Sequence, residues 1–92
     1  MANVVLDFLL VARRYQEAID VADAILAVNP REAYTMVKKA SAIAGLMQTE
    51  FVDRYPNPAS IPPSLRSRYQ MLVQQNQQLF SGAEALGWQP SE

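Results

Sequence analysis

The stretch YQEAIDVADAILAVNP, residues 15–30, decides how the rest of the chain folds. Its apolar residues recur at steps of three and four positions, which places them on one side of a helix with about 3.6 residues per turn. The pair Asn29-Pro30 ends this helix, because proline has no amide donor and disfavours helical geometry in the residue before it. The segment therefore predicts an amphipathic helix over residues 15–28. Its buried face is expected to contain Tyr15, Ala18, Ile19, Ala22, Ile25 and Leu26.

Residues 2–13 form a second predicted helix, which is apolar on most sides and is interrupted only by Asp7. A helix of about 12 residues is marginal in water by itself. It therefore has to pack against its neighbours, including the helix over residues 15–28. The Arg13-Arg14 connection is short, which favours two antiparallel helices.

Two further helices follow Pro30, so the predicted fold is all-α with four helices. The third covers residues 31–54 and contains Gly45, which indicates either a close helix contact or a local break. Four prolines within residues 55–63 exclude regular helix, and residues 55–62 are predicted to form an ordered crossover anchored by Ile61. The fourth helix covers residues 63–86, with Asn76 on its apolar stripe. Gly87 is expected to cap it in the left-handed conformation, with Trp88 folding back on the last turn.

The amino-acid composition limits the classes of function that the chain can have. The chain has 92 residues, of which 50% are apolar and 18% charged, which predicts one folded domain and no membrane span. A formal charge of −1 lacks the basic excess that nucleic-acid binding uses. No signal peptide or transmembrane segment is recognisable in the sequence, which favours the cytoplasm.

The sequence contains neither cysteine nor histidine, which excludes thiol and imidazole chemistry and thiolate zinc sites. Glu17, Asp20 and Asp23 lie on one helix, where they are interpreted as a solvated face and not as a metal site or a carboxylate pair. We therefore expect no enzyme activity, no cofactor and no metal.

Residues 4–30 resemble one tetratricopeptide repeat. Tyr15, Ala18 and Pro30 stand at the spacing of that family, and Leu26 and Val28 occupy its usual aliphatic positions. Tyr34 and Gly45 resemble the start of a partial second repeat. The chain departs from the family where glycines are expected in the first helix and its turn, because Leu6 and Arg13 stand there. The resemblance implies a protein–protein interaction scaffold.

Five residues are candidates for contact with a protein or peptide partner. Lysines on the third helix, with an aromatic residue one turn back, suit an acidic partner segment, and aromatic residues near the crossover and the C-terminus suit an interface. The candidates are Tyr34, Lys38, Lys39, Tyr55 and Trp88.

A structural role is the alternative to a scaffold function. Under it, the apolar first helix makes the chain self-associate, as in a homodimer. In a second form of this alternative, the 92 residues are the tail of a larger bacterial protein, including one with a catalytic domain. The first helix then packs against another domain of that protein. The identity of the partner is not encoded in any motif of the sequence.

Overall fold

The computed structural model describes residues 2–89, which form four α-helices. Within that range the chain contains no strand, so the predicted all-α fold is confirmed. The second helix has the predicted bounds. The helices are α1 (Ala2–Val11), α2 (Tyr15–Val28), α3 (Ala33–Met47) and α4 (Pro63–Ala85).

The turn between α1 and α2 is closed by backbone hydrogen bonds. α1 ends two residues earlier than predicted, because Arg13 adopts the left-handed conformation with φ of 60°. The amide of Arg13 donates to the carbonyl of Leu10 at 3.1 Å, and the amide of Arg14 donates to that of Leu9 at 2.9 Å. These are the two bonds of a Schellman motif, in which arginine occupies the position that usually takes glycine.

The hairpin of α1 and α2 encloses the first of two buried clusters. Leu6 and Leu9 of α1 pack on Ala18 and Ala22 of α2, and Ala42 of α3 completes the cluster. Both α2 alanines are fully buried, as the sequence predicted. Small side chains at the centre of the contact allow the two helices to approach closely.

Helix α3 lies between the hairpin and α4, and it contacts all three other helices. A second buried cluster joins α3 to the segments that follow it. Ile19 of α2 packs against both clusters and thus connects them. The second cluster consists of Ile43, Phe51, Ile61 and Leu72.

The end of α3 differs from the predicted helix over residues 31–54. The α-helix stops at Met47 and is followed by one π-helical turn, Gln48–Val52. The hydroxyl of Thr49 donates to the carbonyl of Gly45 at 3.2 Å, and the amide of Gln48 is shared between two carbonyls. The Thr49 hydroxyl thus bonds a main-chain carbonyl at the point where the hydrogen-bond pattern changes from α-helical to π-helical.

Gly45 makes a close helix contact, which is one of the two alternatives that the sequence left open for this position. A Cβ atom on Gly45 would overlap the ring of Tyr15, which lies against this point of α3. Tyr15, at the start of α2, therefore packs on the end of α3. Asp23, further along α2, pairs with Lys39 nearer the start of α3 at 2.6 Å, so the two helices run antiparallel.

The crossover over residues 55–62 is held at several points. The side chain of Asn57 accepts a hydrogen bond from the amide of Ala59 at 3.0 Å and caps a short 3-10 turn, Pro58–Ser60. Ile61 is buried, as predicted, and its carbonyl accepts a hydrogen bond from Arg66 Nε at 3.1 Å.

The end of α4 also agrees with the sequence. Gly87 has φ of 97°, and its amide donates to the carbonyl of Glu84 at 3.0 Å. The amide of Trp88 donates to the carbonyl of Ala83 at 3.0 Å, which completes a Schellman motif. The indole then packs on Phe80, with ring centroids 5.7 Å apart.

Candidate interaction surface

The outer side of α1 is apolar and open to solvent. Its residues follow each other at positions i, i+1, i+4 and i+7, which places them on one side of the helix. The opposite side carries Leu6 and Leu9 and is buried against α2. The exposed residues are Val4 (66% exposed), Val5 (50%), Phe8 (64%) and Val11 (85%).

The neighbouring helix α2 carries a second apolar area toward its C-terminal end, an open depression of about 480 Å³. Val28, at the end of α2, is 88% exposed. The sequence placed Ile25 on the buried stripe, but the structure leaves it half-exposed in the concavity, because α1 covers the adjoining side with the alanines. The concavity is lined by Val21, Ala24, Ile25, Val28 and Asn29.

We call these two parts together the N-terminal apolar face. It comprises the four exposed residues of α1 and the apolar residues of the α2 concavity, which are Val4, Val5, Phe8, Val11, Val21, Ala24, Ile25 and Val28.

The apolar area of this face is comparable to that of the largest apolar patch on a typical monomer. With roughly 100 Å² for a fully exposed valine side chain and roughly 200 Å² for phenylalanine, the four most exposed valines and Phe8 present about 400 Å². The largest apolar patch on a typical monomer is about 300–600 Å² and often has a function. The N-terminal apolar face is therefore a candidate binding surface.

A polar cluster borders the N-terminal apolar face on the side of α3. Asp7 is a helical neighbour of Val4 and Val11. Its Oδ1 atom lies 2.9 Å from Lys38 Nζ, and its Oδ2 atom accepts a hydrogen bond from the hydroxyl of Tyr34 at 3.3 Å. The Lys38 ammonium also lies 4.8 Å from the centroid of the Tyr34 ring, within the range of a cation–π contact.

This cluster changes the ionisation of both charged groups. The hydrogen bond from Lys38 lowers the pKa of Asp7 below its ordinary value. The same bond, together with Tyr34, raises the pKa of Lys38. Both groups are therefore charged at neutral pH, and they fix each other beside the apolar residues.

The five sequence candidates do not form one site. Tyr34 and Lys38 lie together in the polar cluster, whereas Lys39 points to α2 and pairs with Asp23. Tyr55 packs half-buried against the second buried cluster, and Trp88 covers the last turn of α4. The structure thus brings two of the five candidates to the edge of the apolar face and uses the other three in internal contacts.

Asp7 and the α2 flank are the parts of this surface that sequence reasoning missed. The charge of Asp7 inside an apolar helix was a usable signal, because such a charge needs a partner. The second signal was the apolar character of Val21 and Val28 outside the predicted stripe.

No group of three or more acidic side chains within residues 2–89 is arranged to hold a metal ion. In the same part of the chain, no helix has both the length and the hydrophobicity that crossing a bilayer requires. Asn76, which the sequence placed on the apolar stripe of α4, is half-buried, and its Oδ1 atom has no protein hydrogen-bond partner.

Comparisons with protein-family models, with curated proteins and with solved structures gave no match. The N-terminal apolar face and its polar border are the features of the structure that point to a function.

Proposed function

We propose that this chain is a non-catalytic protein–protein interaction module of tetratricopeptide-like type, which binds its partner through the N-terminal apolar face. The observation that carries the proposal is the exposure of four apolar side chains on the outer side of α1, with Phe8 and Val11 among them. Binding would remove about 400 Å² of apolar surface of this chain from water, at roughly 25 cal/mol per Å² before the entropic costs of association.

The polar border supports the same proposal. Protein interfaces combine an apolar centre with a polar rim that orients the partner. The cluster of Asp7, Tyr34 and Lys38 has this position relative to Val4 and Val11. Tyr34 is 41% exposed, so its ring remains accessible to a partner.

The second candidate function is structural and uses the same surface. In it, the N-terminal apolar face packs permanently against another domain of a larger protein. It is favoured by the absence of charged side chains among the exposed residues of α1 that form the face, since permanent interfaces are more hydrophobic than transient ones.

Site-specific photo-crosslinking in the cells that make the protein tests the proposal. A photoreactive amino acid replaces Phe8 in one variant and Met71 in a control variant. Met71 is 47% exposed on α4, outside the N-terminal apolar face, so it matches Phe8 in accessibility but not in location.

Discrete crosslinked protein bands at position 8 but not at position 71 are expected. Equal crosslinking at both positions, or none at position 8, would overturn the proposed function. Crosslinks that lie only within one longer polypeptide would favour the structural alternative.

A further inference from the structure

A cleft of about 190 Å³ lies between the end of α3 and the start of α4, and it shares no residue with the N-terminal apolar face. The π-helical turn Gln48–Val52 and Arg54 just after it form one wall. Turns of this kind are rare in proteins and are frequent at functional sites. The first turns of α4 form the other wall. The residues that line the cleft are Glu50, Phe51, Arg54, Leu65 and Arg68.

The cleft has an apolar floor and a charged rim. Phe51 is buried, and its ring packs edge-to-face on Tyr69 with the ring centroids 5.2 Å apart. Leu65 is half-buried and packs against the same cluster. Arg54 and Arg68 are both exposed. A ligand that matches this arrangement has an apolar part and an anionic part.

The pair of Glu50 and Arg68 indicates which anion suits the rim. Arg68 Nε donates to Glu50 Oε2 at 3.0 Å, and Arg68 Nη2 donates to Oε1 at 3.2 Å. Two parallel bonds of this kind are the geometry in which a guanidinium binds a planar carboxylate. The two side chains are 37% and 42% exposed, so a carboxylate from solution can compete with Glu50 for Arg68. Such exposed ion pairs contribute little to stability.

Arg54 is the second guanidinium of the rim. It follows Glu50 by four residues, a spacing at which oppositely charged side chains of a helix can pair. Glu50 instead pairs with Arg68, and no ion pair within residues 2–89 involves Arg54. The neighbouring carboxylate of Asp53 accepts a hydrogen bond from the Gln48 amide at 2.7 Å. The lining of the cleft therefore carries one more guanidinium than carboxylate.

The wider charge distribution also favours an anion at this end of the chain. Residues 48–68 contain three arginines and two acidic residues. The rest of the chain contains five basic and seven acidic residues, so the excess of positive charge is confined to the segment that forms the cleft. Charge of one sign around a cleft raises the local concentration of ligands of the opposite sign.

We propose that this cleft binds a small organic carboxylate, with its anionic group on Arg54 and Arg68 and its apolar part on Phe51 and Leu65. Glu50 acts as an internal competitor, because its carboxylate occupies Arg68 in the absence of ligand. A cleft of about 190 Å³ is smaller than the roughly 300–1,000 Å³ of sites for drug-sized ligands. The ligand is therefore a small acid or the acidic side chain of a peptide.

Sodium benzoate is the probe, because it combines a carboxylate with an apolar ring. It is added up to about 50 mM at constant ionic strength, since so few contacts give a dissociation constant in the millimolar range. ¹⁵N NMR spectra follow the backbone amides and the arginine Nε–H groups. The largest shifts are expected at the residues that line the cleft. Benzamide, which lacks the charge, is the control ligand and should bind at least about tenfold more weakly.

Glu50→Gln distinguishes this site from a general attraction of anions. The variant removes the internal competitor and should lower the dissociation constant for benzoate about two- to fivefold, the factor that corresponds to an exposed ion pair. Glu17→Gln is the matched control, because Glu17 also pairs with an exposed arginine, Arg14, at 2.7 Å. It removes the same charge and should leave the dissociation constant unchanged. Circular dichroism verifies the fold of both variants.

Arg54→Gln tests the second guanidinium without breaking an ion pair within residues 2–89. It should raise the dissociation constant for benzoate at least about fivefold. Arg31→Gln is its control, because Arg31 is also exposed and also lacks an ion pair in the described part of the chain.

A second titration replaces benzoate by glutamate whose amino and α-carboxyl groups are capped, which represents an acidic side chain of a peptide. Tighter binding of benzoate identifies a free acid as the ligand, and tighter binding of the capped glutamate identifies an acidic peptide segment.

Three results would each overturn the proposed site. These are no shifts at the lining residues with either probe, equal shifts at Arg14 and Arg31, and equal effects of Glu50→Gln and Glu17→Gln on the dissociation constant. The proposed function is judged separately, by crosslinks from position 8 in cells. The site can therefore fail while the proposed function stands, and the reverse.

Discussion

Replacing Gly45 by alanine is expected to destabilise the protein, although alanine is the better helix former. In an exposed helix interior this change gains about 1 kcal/mol. At Gly45 the new methyl group would overlap three atoms of the Tyr15 ring, and an aromatic ring cannot bend away as a flexible chain end does. Overpacking of this kind costs about 1–3 kcal/mol before any compensating gain, and severe overlap costs more. We expect a net loss of about 1–2 kcal/mol.

Gly82 provides the matched control, because it also lies inside a helix. A Cβ atom there would meet only the sulfur of Met36, at 3.6 Å, which is an ordinary contact. Gly82→Ala should therefore stabilise the protein by about 0.5–1 kcal/mol. Both variants are compared with wild type by urea and thermal unfolding, where 1 kcal/mol corresponds to about 4–8 °C in a domain of this size.

A double-mutant cycle with Tyr15→Leu isolates the cause. If the ring is responsible, Gly45→Ala should cost less in the Tyr15→Leu background, with a coupling energy of about 0.5–3 kcal/mol. The reasoning is refuted if Gly45→Ala stabilises the protein as much as Gly82→Ala does, since the ring would then not lie over Gly45.

Four further predictions concern the turn, the polar border and the crossover. Arg13→Gly should raise the free energy of unfolding by about 0.5–1 kcal/mol in a urea melt, because glycine adopts the left-handed conformation without a Cβ penalty; a decrease would contradict the turn geometry. Asp7→Asn should destabilise the protein at pH 7 and lose its effect as the pH falls below about 3.9, because the unfolded chain binds the Asp7 proton more tightly than the folded chain does. The pKa of Lys38 is raised in the folded chain, so the stability that Lys38 contributes should be lost as the pH rises above 10.5. Melts of Lys38→Met at several pH values check this expectation. Ile61→Ala should cost about 2–4 kcal/mol and accelerate proteolysis within residues 55–62; an unchanged melt would mean that Ile61 does not anchor the crossover.

The central part of the fold was predictable because local rules decide it. The bounds of α2 follow from the periodicity after Tyr15 and from the stop at Pro30, and they agree with the structure. The burial of Ala18 and Ala22 follows from the same pattern. The cap at Gly87 depends on backbone conformation within a few residues, which the sequence expresses directly.

Other features depend on contacts between distant segments and were not predictable. The π-helical turn Gln48–Val52 is a change of hydrogen-bond register that no hydrophobic pattern reports. The pairing of Asp7 with Tyr34 and Lys38 requires the register of α1 on α3. The hydrophobic periodicity placed Ile25 on the buried stripe of α2, but it could not show whether another helix covers that side chain.

Ile19 couples the stability of the two buried clusters. Because its side chain packs against both, the α1–α2 hairpin cannot separate from α3 without exposing part of the core that α3 shares with α4. Loss of either cluster removes support from the other, so we expect the chain to unfold as one cooperative unit. A substitution that loosens the α1–α2 hairpin is therefore expected to weaken the second cluster as well, which includes Leu72 of α4.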